Sequence, residues 1–506
     1  MKAVTRIATA ALLLIAHSVT AQTKIWGDGS AWTGDSILPD FSFCGYRQGS
    51  VPLPNKSPDV CVTDYGAKGD GKTDSTDAFK RALTESAGKT IGIPRGVYLI
   101  SDRLLINTPN TVLLGEGVEE TILLFSKGLQ EIEPTKAFTG EGFETNNWSW
   151  SGGIITLGKS CGGKSSTHFA IAAPAKRGDR TIALANTADL EAGMNCLIRA
   201  TDPPDNSLIH YLYRGRTGDI SLIKHKGISM SQAVTIESID GKRIKLRQGL
   251  RFDLRQEWNP VVLRFANDSE EIGIADFTIR FPERVYRGHW MEDGMNGFEM
   301  RGSNNWAHNI RIQNCDSGVF VYGNWCTVDG LQIESTRKAH QSGHTGHHAI
   351  VLQGRECLMA NFSIDTKFFH DVTVSSGSIG NVFSNGSAID MSIDHHRHAP
   401  YENLFTEIDV GIGTRVWSSG GTKGKGLHSA SGATFWNIDS REPFSLPSEQ
   451  FGPAGLVFVG LHVNTDSAST LPDGWHYEKA QPSHLVPQNL YLAQLAKRHH
   501  SSAPAK

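Results

Sequence analysis

The feature of this 506-residue chain that most limits its fold is a strand pattern recurring at intervals of 21 to 31 residues. Apolar strands that end in glycine place Gly302, Gly323 and Gly354 at intervals of 21 and 31 residues. A second strand type keeps this spacing, with Ile312 and Ile333 separated by 21 residues. Self-similarity of this length is typical of solenoids, in which each turn buries its apolar face on the next. The sequence therefore predicts an all-β chain wound as a parallel β-helix.

Intervals longer than the base period indicate where loops leave the coil. The 31-residue interval carries ten residues beyond the 21-residue spacing, and these fall within 335–347. The 33 residues between Ile279 and Ile312 place a comparable insertion within 281–294. Residues that leave a rigid coil form cleft walls, and such loops often carry function. Trp290 lies in the second of these loops and is a candidate platform for a sugar ring.

A second informative stretch covers residues 62–100. It reads as a strand over 62–65, a glycine-rich loop, a helix with one apolar face and two further strands. Its opening, DYGAKGDGKTD, is followed by IPRGVY. This pattern resembles the N-terminal signature of the pectate-lyase superfamily. The resemblance implies a right-handed parallel β-helix whose first coil is capped by the helix. Lyases, hydrolases, epimerases and phage tailspikes share the signature, so it leaves the reaction open.

Changes in pattern divide the chain into six segments. The N-terminus carries basic residues before a short apolar run, which is typical of a signal peptide. Another stretch abandons the coil period and contains the turn pair Asp240-Gly241, which indicates an inserted small β-subdomain. The predicted boundaries are a signal peptide at 1–21, a connector at 22–61, the first coils at 62–165, the inserted β-subdomain at 166–258, the main coils at 259–465 and a mobile C-terminal tail at 466–506.

Charge and composition limit the partners. The chain has 49 Lys and Arg against 52 Asp and Glu, a net charge of −3, so it offers no broad basic surface for nucleic acid. After the signal peptide, no segment is apolar enough to predict a membrane span. We therefore expect a secreted or periplasmic protein whose partner is a polysaccharide. The sequence leaves both monomer and homo-oligomer open.

The seven cysteines suit an oxidising compartment. The pairs that sequence position makes candidates for bridges are Cys44 with Cys61 and Cys161 with Cys196. Cys326 and Cys357 each lie three residues after a strand-ending glycine, so stacked coils bring them within disulfide range. This third pair is either a disulfide or two buried thiols.

Histidines are concentrated in one part of the chain, with eight of the 20 between positions 340 and 398. His348 lies six residues before Gly354, and His370 lies seven before Gly377, so the repeat places both on nearly one rung of adjacent coils. The candidate catalytic residues on this strip are His348, His370, His396, Arg397 and Tyr401. The candidates for substrate binding are His344, His347, His395, Trp290 and Asp371.

This set of side chains suits a uronic-acid polymer. The C5 proton of a uronate lies next to a carboxylate, so β-elimination requires a base, neutralisation of that carboxylate and an acid for the leaving oxygen. His348 or His370 is a candidate base because imidazole accepts a proton at neutral pH. Arg397 is a candidate for neutralising the carboxylate, and Tyr401 or another histidine is a candidate acid. We therefore predict a polysaccharide lyase.

Three other functions stay open. A hydrolase of the polygalacturonase-like type needs two carboxylates about 5–10 Å apart. The candidates for that pair are Glu292, Asp293, Asp316 and Asp371. Residues 394–398 are similar to the DPHDR motif of alginate C5-epimerases in keeping its first Asp and its His. A non-catalytic carbohydrate-binding β-helix is the remaining alternative.

No cofactor is required by the sequence. Resemblance to β-helix lyases implies calcium as the divalent cation, although no compact acidic cluster marks a calcium site. The spacing of His344, His347 and His348 would also allow a transition metal. The sequence therefore leaves open whether a metal binds and which one.

Overall fold

The computed structural model describes residues 21–33, 36–159, 167–265, 269–464 and 471–502. The predicted signal peptide, apart from its last residue, and Cys161 lie outside these ranges. Within them, no helix combines the length and the apolar character needed to cross a membrane.

Two long parallel sheets extend along the molecule, and successive coils add strands to both. In the larger sheet Trp306 pairs with Thr327, which pairs with Leu358 on the following coil. Isolated bridges form a third ladder that runs from Ser303 to Tyr401. Because parallel neighbours need a crossover of consistent hand, this arrangement closes the chain into coils. The protein is a right-handed parallel β-helix, as predicted.

The smaller sheet has seven strands. They are Leu104–Ile106, Ile155–Leu157, Asn296–Met300, Ser317–Val321, Gly346–Leu352, Phe368–Val374 and Ile393–His395. The larger sheet has 15 strands. They are Val60–Cys61, Asp70–Asp74, Thr90–Gly92, Gly96–Ile100, Val112–Leu114, Thr121–Phe125, Gly273–Arg280, Trp306–Gln313, Thr327–Glu334, Leu358–Ile364, Val382–Ala388, Leu404–Asp409, Thr434–Asp439, Val457–Leu461 and His476–Glu478.

The core between the sheets is built from side chains that repeat in register. Phe383, Phe405, Phe435 and Phe458 occupy paired positions on four successive strands. Their rings stack with centroid distances of 4.9, 5.4 and 5.1 Å. The strand spacing of about 4.8 Å sets this ring separation, so one apolar residue per coil produces a continuous column.

The N-terminal signature forms the cap that the resemblance implies. The helix Thr76–Glu85 buries Phe79, whose ring lies 5.6 Å from that of Tyr98 on the first coils. The predicted strand at 62–65 was wrong, because Val62–Tyr65 is a 3-10 helix. Gly66 ends this helix at a φ of 93°, a conformation that favours glycine.

The inserted subdomain is a six-stranded antiparallel sheet. Its strands are His168–Ala170, Thr181–Ala183, Asn195–Thr201, Ser229–Asp240, Arg243–Leu246 and Val261–Arg264. The last strand extends the subdomain past the expected boundary at 258, because it pairs with two other strands of this sheet. Arg251 anchors the insert to the coil through Glu356 and Glu402.

Helices and short pairings complete the fold. The other α-helices are Leu129–Ile132, Ser207–Leu212 and Leu490–Ser502. The other 3-10 segments are Tyr46–Gly49, Asn147–Ser149, Gln256–Trp258 and Pro482–His484. Two minor sheets pair Ala21–Gln22 with Leu485–Val486 and Ala137–Phe138 with Glu144–Thr145.

The C-terminal residues form part of the folded body rather than the mobile tail that we expected. His476–Glu478 adds the last strand of the larger sheet. The final helix, Leu490–Ser502, buries Leu490 and Tyr491 in a cluster that includes Trp436. The helix covers part of the outer face of the coil, because the apolar side chains at its N-terminal end pack there.

The described cysteines are unbridged. Cys44 donates to the carbonyl of Gly380 at 2.7 Å, so the proposed bridge to Cys61 is wrong. Cys326 and Cys357 are buried thiols rather than a disulfide, which decides between the two expectations for that pair.

Candidate active site

A row of imidazoles lies along one end of the smaller sheet. His348 and His370 are register partners, and their rings stack at a centroid distance of 4.9 Å. The ring of His347 lies 4.1 Å from that of His348, and the ring of His396 lies 5.1 Å from that of His370. The repeat therefore brings these four rings together, as the sequence indicated.

Asp394 is a buried carboxylate in contact with two histidines of this row. Its Oδ2 atom is 2.8 Å from Nδ1 of His396 and 3.2 Å from Nδ1 of His370. The hydroxyl of Thr373 donates to the same oxygen at 3.1 Å, and the backbone N–H of Gly420 donates to Oδ1 at 2.8 Å. Burial favours the protonated form, but the two imidazoles and these hydrogen bonds outweigh it and hold the pKa of Asp394 below its ordinary value. Asp394 is therefore an ionised, fully buried anchor.

The loop at 281–295 brings a fifth imidazole to the row. Nε2 of His289 lies 2.8 Å from Nε2 of His347. On the far side of His347, its Nδ1 lies 3.3 Å from Oε1 of Glu292. Tyr286 and Ser149 donate to Glu292 at 2.9 and 2.7 Å, and this holds the carboxylate in place. Burial raises the pKa of Glu292.

Aromatic side chains form one wall beside the imidazoles. The ring of His289 stacks between Trp290 and Phe369, with centroid distances of 3.8 and 4.6 Å. His344 stacks on Phe369 at 4.1 Å. The two insertions that the repeat spacing located thus meet at this wall. Trp290 and Phe369 are both partly exposed, so an apolar face borders the row.

A third loop, between Leu404–Asp409 and Thr434–Asp439, covers the other side. A Cβ on Gly420 would lie 2.6 Å from Cε1 of His396 and 2.8 Å from Cε1 of His370. Only glycine allows the backbone to approach the two rings this closely. The same glycine donates its N–H to Asp394, so the loop and the row are held together.

Burial keeps most of these histidines neutral. Desolvation lowers the pKa of His370 and His344 to about 4, and it lowers the pKa of His347 and His348 well below the ordinary value. It also lowers the pKa of His289. Neutral imidazoles have a lone pair available for a proton or a metal ion.

Access to solvent differs along the row. The side chain of His396 is 27% exposed and that of His370 is 13% exposed, whereas His347 is 1% exposed. His348 is also buried. A substrate would therefore reach His396 first.

Two predicted catalytic residues do not join the row. The Arg397 guanidinium donates to the carbonyl of Gly426 and lies 3.0 Å from Nε2 of His428. Tyr401 is buried against the inserted subdomain, where its hydroxyl donates to the carbonyl of Arg251. Three successive residues with positive φ, at 397–399, turn the chain away from the row after His396. Their expected position beside the imidazoles was therefore wrong.

Two predicted substrate-binding residues also have other surroundings. His395 pairs in register with Val374, so it points into the core and packs among Phe405, Phe435 and Phe451. Asp371 is buried; its Oδ2 accepts from the backbone N–H of Ser392 at 2.8 Å and pairs with Arg415. Burial raises the pKa of Asp371 to about 6. Neither side chain is placed to meet a substrate.

Three residues of this site were not among the predicted site residues. The sequence predictions contain Asp394 only in the epimerase-like motif and Glu292 only among the hydrolase carboxylates, and they do not contain His289. Strand register is the feature that identifies Asp394. It pairs with Thr373, whose side chain faces outward, and it precedes His395, whose side chain faces inward. For His289 the signal was its place in the insertion that also carries Trp290.

Several of these groups are arranged as metal donors. One ring nitrogen from each of His289, His347 and His370 lies within 4.8 Å of the others. His370, Asp394 and His396 form a second such group. Calcium takes six to eight oxygen ligands, so this nitrogen-rich set does not fit the calcium that family resemblance implies.

A separate polar groove lies on the larger sheet. It has a volume of about 640 Å³ and is lined by side chains that include Asn361, Asn385 and Asn437. Their amides form part of a hydrogen-bonded ladder, as Asn385 donates to Asn361 at 2.6 Å. None of the imidazoles of the row lines this groove, so we place the candidate chemistry at the histidines.

Comparison with known proteins gives matches over part of the chain. Residues 60–154 match the family model described as Rhamnogalacturonase A/epimerase, pectate lyase-like. Alginate lyase 7 of Azotobacter vinelandii is 39% identical over 79 residues, which cover 14% of this chain and 9% of that protein. The pre-neck appendage protein of Bacillus phage B103 is 39% identical over 66 residues, which cover 13% of this chain and 7% of that protein. The chain thus matches less than a tenth of the length of these relatives.

The tailspike protein gp49 of Pseudomonas phage LKA1 superposes with a TM-score of 0.43 at 13% identity, covering 79% of this chain and 69% of the tailspike. The N-terminal match falls on the capped first coils described above. The chain therefore resembles the pectate-lyase-like proteins over residues 60–154, and its parallel coils continue the β-helix beyond that region.

Proposed function

We propose that this protein is an exported polysaccharide lyase that cleaves a uronic-acid-containing chain by β-elimination, with His396 as the base. The observation that carries the proposal is the hydrogen-bonded pair of His396 and Asp394. A carboxylate that accepts from Nδ1–H fixes the tautomer in which Nε2 has the free lone pair. His396 is also the more exposed of the two histidines that Asp394 holds.

The surroundings of the pair also suit elimination. Once His396 has taken the C5 proton, its protonated ring can pass that proton to the leaving oxygen, so one residue can act as base and then as acid. His370 adjoins His396 at a ring centroid distance of 5.1 Å. Partly exposed Trp290 and Phe369 offer faces on which a sugar ring can stack.

The rival function, hydrolysis, has weaker support in the carboxylates. Of the four candidates, Glu292 is held by Tyr286 and Ser149, and Asp316 lies 2.9 Å from Arg337. Asp371 pairs with Arg415 and Asp293 pairs with Arg287. A hydrolase needs one carboxylate free to act as nucleophile or base and a second to act as acid. Elimination needs a base, an imidazole can accept a proton at neutral pH, and imidazoles are concentrated at this site.

The acidic substrate and export are parts of the same proposal. Alginate lyase 7, which is similar to this chain over 79 residues, carries a uronate polymer in its name. The N-terminal apolar run is typical of a secretory signal. An extracytoplasmic enzyme can reach a polysaccharide that does not enter the cell.

The test is incubation of the purified protein with pectate, alginate, glucuronan and a glycosaminoglycan in parallel. Elimination leaves an unsaturated uronate that absorbs in the ultraviolet, whereas hydrolysis releases reducing ends alone. We expect ultraviolet absorbance with at least one polymer and a loss of about 100-fold or more in rate for His396→Ala. His308→Ala is the matched control, because His308 is an exposed histidine on the larger sheet. Reducing ends without absorbance, or equal rates for both variants, would overturn the proposal.

A further inference from the structure

Three imidazoles of the site converge on one point. Nε2 of His289 and Nε2 of His347 are 2.8 Å apart, and a ring nitrogen of His370 lies within 4.8 Å of a nitrogen of each. Two nitrogens bound to one zinc ion at about 2.0–2.1 Å lie roughly 3.0–3.4 Å apart, so small side-chain shifts would bring all three into coordination distance. The three residues come from a loop and two adjacent strands, so the fold itself assembles the set.

The opposite sides of two of these rings carry the second feature of a metal centre. Nδ1 of His347 lies 3.3 Å from Oε1 of Glu292, and Nδ1 of His370 lies 3.2 Å from Oδ2 of Asp394. Metal-binding histidines almost always present their other ring nitrogen to a carboxylate, a carbonyl or water. Here both carboxylates are buried and are held by further donors, namely Tyr286 for Glu292 and Thr373 for Asp394.

We propose that His289, His347 and His370 bind one divalent transition-metal ion of the zinc class, with Glu292 and Asp394 orienting His347 and His370 from behind. Imidazole donors select zinc and its neighbours over calcium or magnesium, which prefer oxygen. Three protein ligands leave an open coordination position. The role of the ion, unlike the site, rests on the proposed function: in elimination the ion would supply positive charge near the uronate carboxylate.

The simplest competing explanation is a structural pair of neutral histidines. One ring could donate from Nε2 to the other at the observed 2.8 Å and require no ion. Such a pair would not explain why the third ring and the two buried carboxylates lie beside it. Metal titration separates the two explanations because a hydrogen-bonded pair does not bind Zn²⁺ with the affinity of three preorganised ligands.

The experiment measures metal binding without substrate. The full chain, free of any affinity tag, carries His499→Ala and His500→Ala as background, because adjacent exposed histidines bind metal weakly by themselves. After dialysis against a chelator, Zn²⁺ is titrated by calorimetry and Co²⁺ by its visible absorption. We expect one equivalent of Zn²⁺ and the spectrum of a four- or five-coordinate Co²⁺ site. Binding at no more than the level of a denatured sample would overturn the proposal.

Matched variants locate the ion. His289→Ala changes a partly exposed loop residue, so it leaves the coil intact, and we expect at least a 100-fold loss of Zn²⁺ affinity. Glu292→Gln should weaken binding about 10- to 100-fold through the orientation of His347. His308→Ala should leave Zn²⁺ affinity unchanged. Equal affinity in His289→Ala and His308→Ala would place the ion elsewhere and overturn the assignment.

The failures of the two proposals are distinguishable. Zn²⁺ binding that depends on His289, without ultraviolet product from any polymer, would keep the metal site and reject the lyase. Ultraviolet product at an unchanged rate in the chelated protein, with no Zn²⁺ bound, would keep the lyase and reject the metal site.

Discussion

Nδ1 of His396 lies 2.8 Å from Oδ2 of Asp394, a carboxylate with no exposed side-chain surface that also lies 3.2 Å from Nδ1 of His370. One buried charge therefore orients two imidazoles on adjacent coils. Strand register produces this geometry, because Asp394 pairs with Thr373 on the preceding strand.

Asp394→Asn should reduce the rate of elimination by about 100-fold or more while leaving the coil folded. An amide in this position can present N–H to the imidazole, which then favours the tautomer with the proton on Nε2, the wrong one for a base. The measurement is kcat on the best polymer from the substrate panel, with circular dichroism as the check on folding. Thr373→Val is the control, because it removes one hydrogen bond to the carboxylate and keeps the charge. A loss in Asp394→Asn no greater than in Thr373→Val would contradict an orienting role.

Gly420→Ala should lower activity because the added methyl group crowds the rings of His396 and His370, although it changes no charge. The added Cβ would lie within 2.8 Å of Cε1 in both His396 and His370, so the loop or the rings must move. We expect a loss of about tenfold or more in kcat, since small misplacements of catalytic groups are costly. Ser418→Ala, at an exposed position of the same loop, is the matched control. A wild-type rate in Gly420→Ala would contradict this prediction and would mean that the loop can move away from the two rings.

The fold was predictable because the coil repeats itself in the sequence. The intervals between Gly302, Gly323 and Gly354 follow the pairing of successive strands, and the same count placed His348 opposite His370. Each position in a regular solenoid has an equivalent one coil away, so local spacing translates into spatial neighbourhood. This is why two of the central histidines could be found without coordinates.

The positions beyond the strand ends were not predictable in this way. The strand Ile393–His395 is only three residues long, and positive φ values at 397–399 redirect the chain directly after His396. Tyr401 consequently faces the inserted subdomain and Arg397 contacts Gly426 and His428, although both are close to His396 in sequence. His395 illustrates the other difficulty: strand alternation points it inward and its neighbour Asp394 outward. Spacing alone does not reveal which side a residue faces.

Phe435→Ala should destabilise the coil by about 3–5 kcal/mol, because it removes one ring from the middle of a stacked column. Phe435 lies between Phe405 and Phe458, with centroid distances of 5.4 and 5.1 Å. Phe435→Leu should cost less, since it keeps much of the buried volume. The measurement is the free energy of unfolding in denaturant. Phe138→Ala, at an exposed aromatic outside the coil, should change it little, and an equal effect from both alanine variants would contradict the column.

Arg251→Met should destabilise the protein by about 3–5 kcal/mol, because it leaves buried Glu356 without a cation and leaves Glu402 with Arg177 alone. Nε of Arg251 lies 2.6 Å from Glu356, and Nη1 lies 3.1 Å from Glu402. All three side chains are at most 6% exposed, so water cannot replace the lost charge. Because this network joins the inserted subdomain to the coil, limited proteolysis should also cut the insert faster.

Removing the charge that has lost its cation tests the cause. Adding Glu356→Gln to Arg251→Met should recover part of the lost free energy, since uncompensated charge rather than lost packing is the larger cost. Arg81→Ala is the control, as its pair with Glu85 is exposed and worth at most about 1 kcal/mol. If this double variant were less stable than Arg251→Met alone, Glu356 would stabilise the interface by contacts other than the ion pair. In that case the insert would be held by shape and hydrogen bonding, and Arg251 would be one contributor among several.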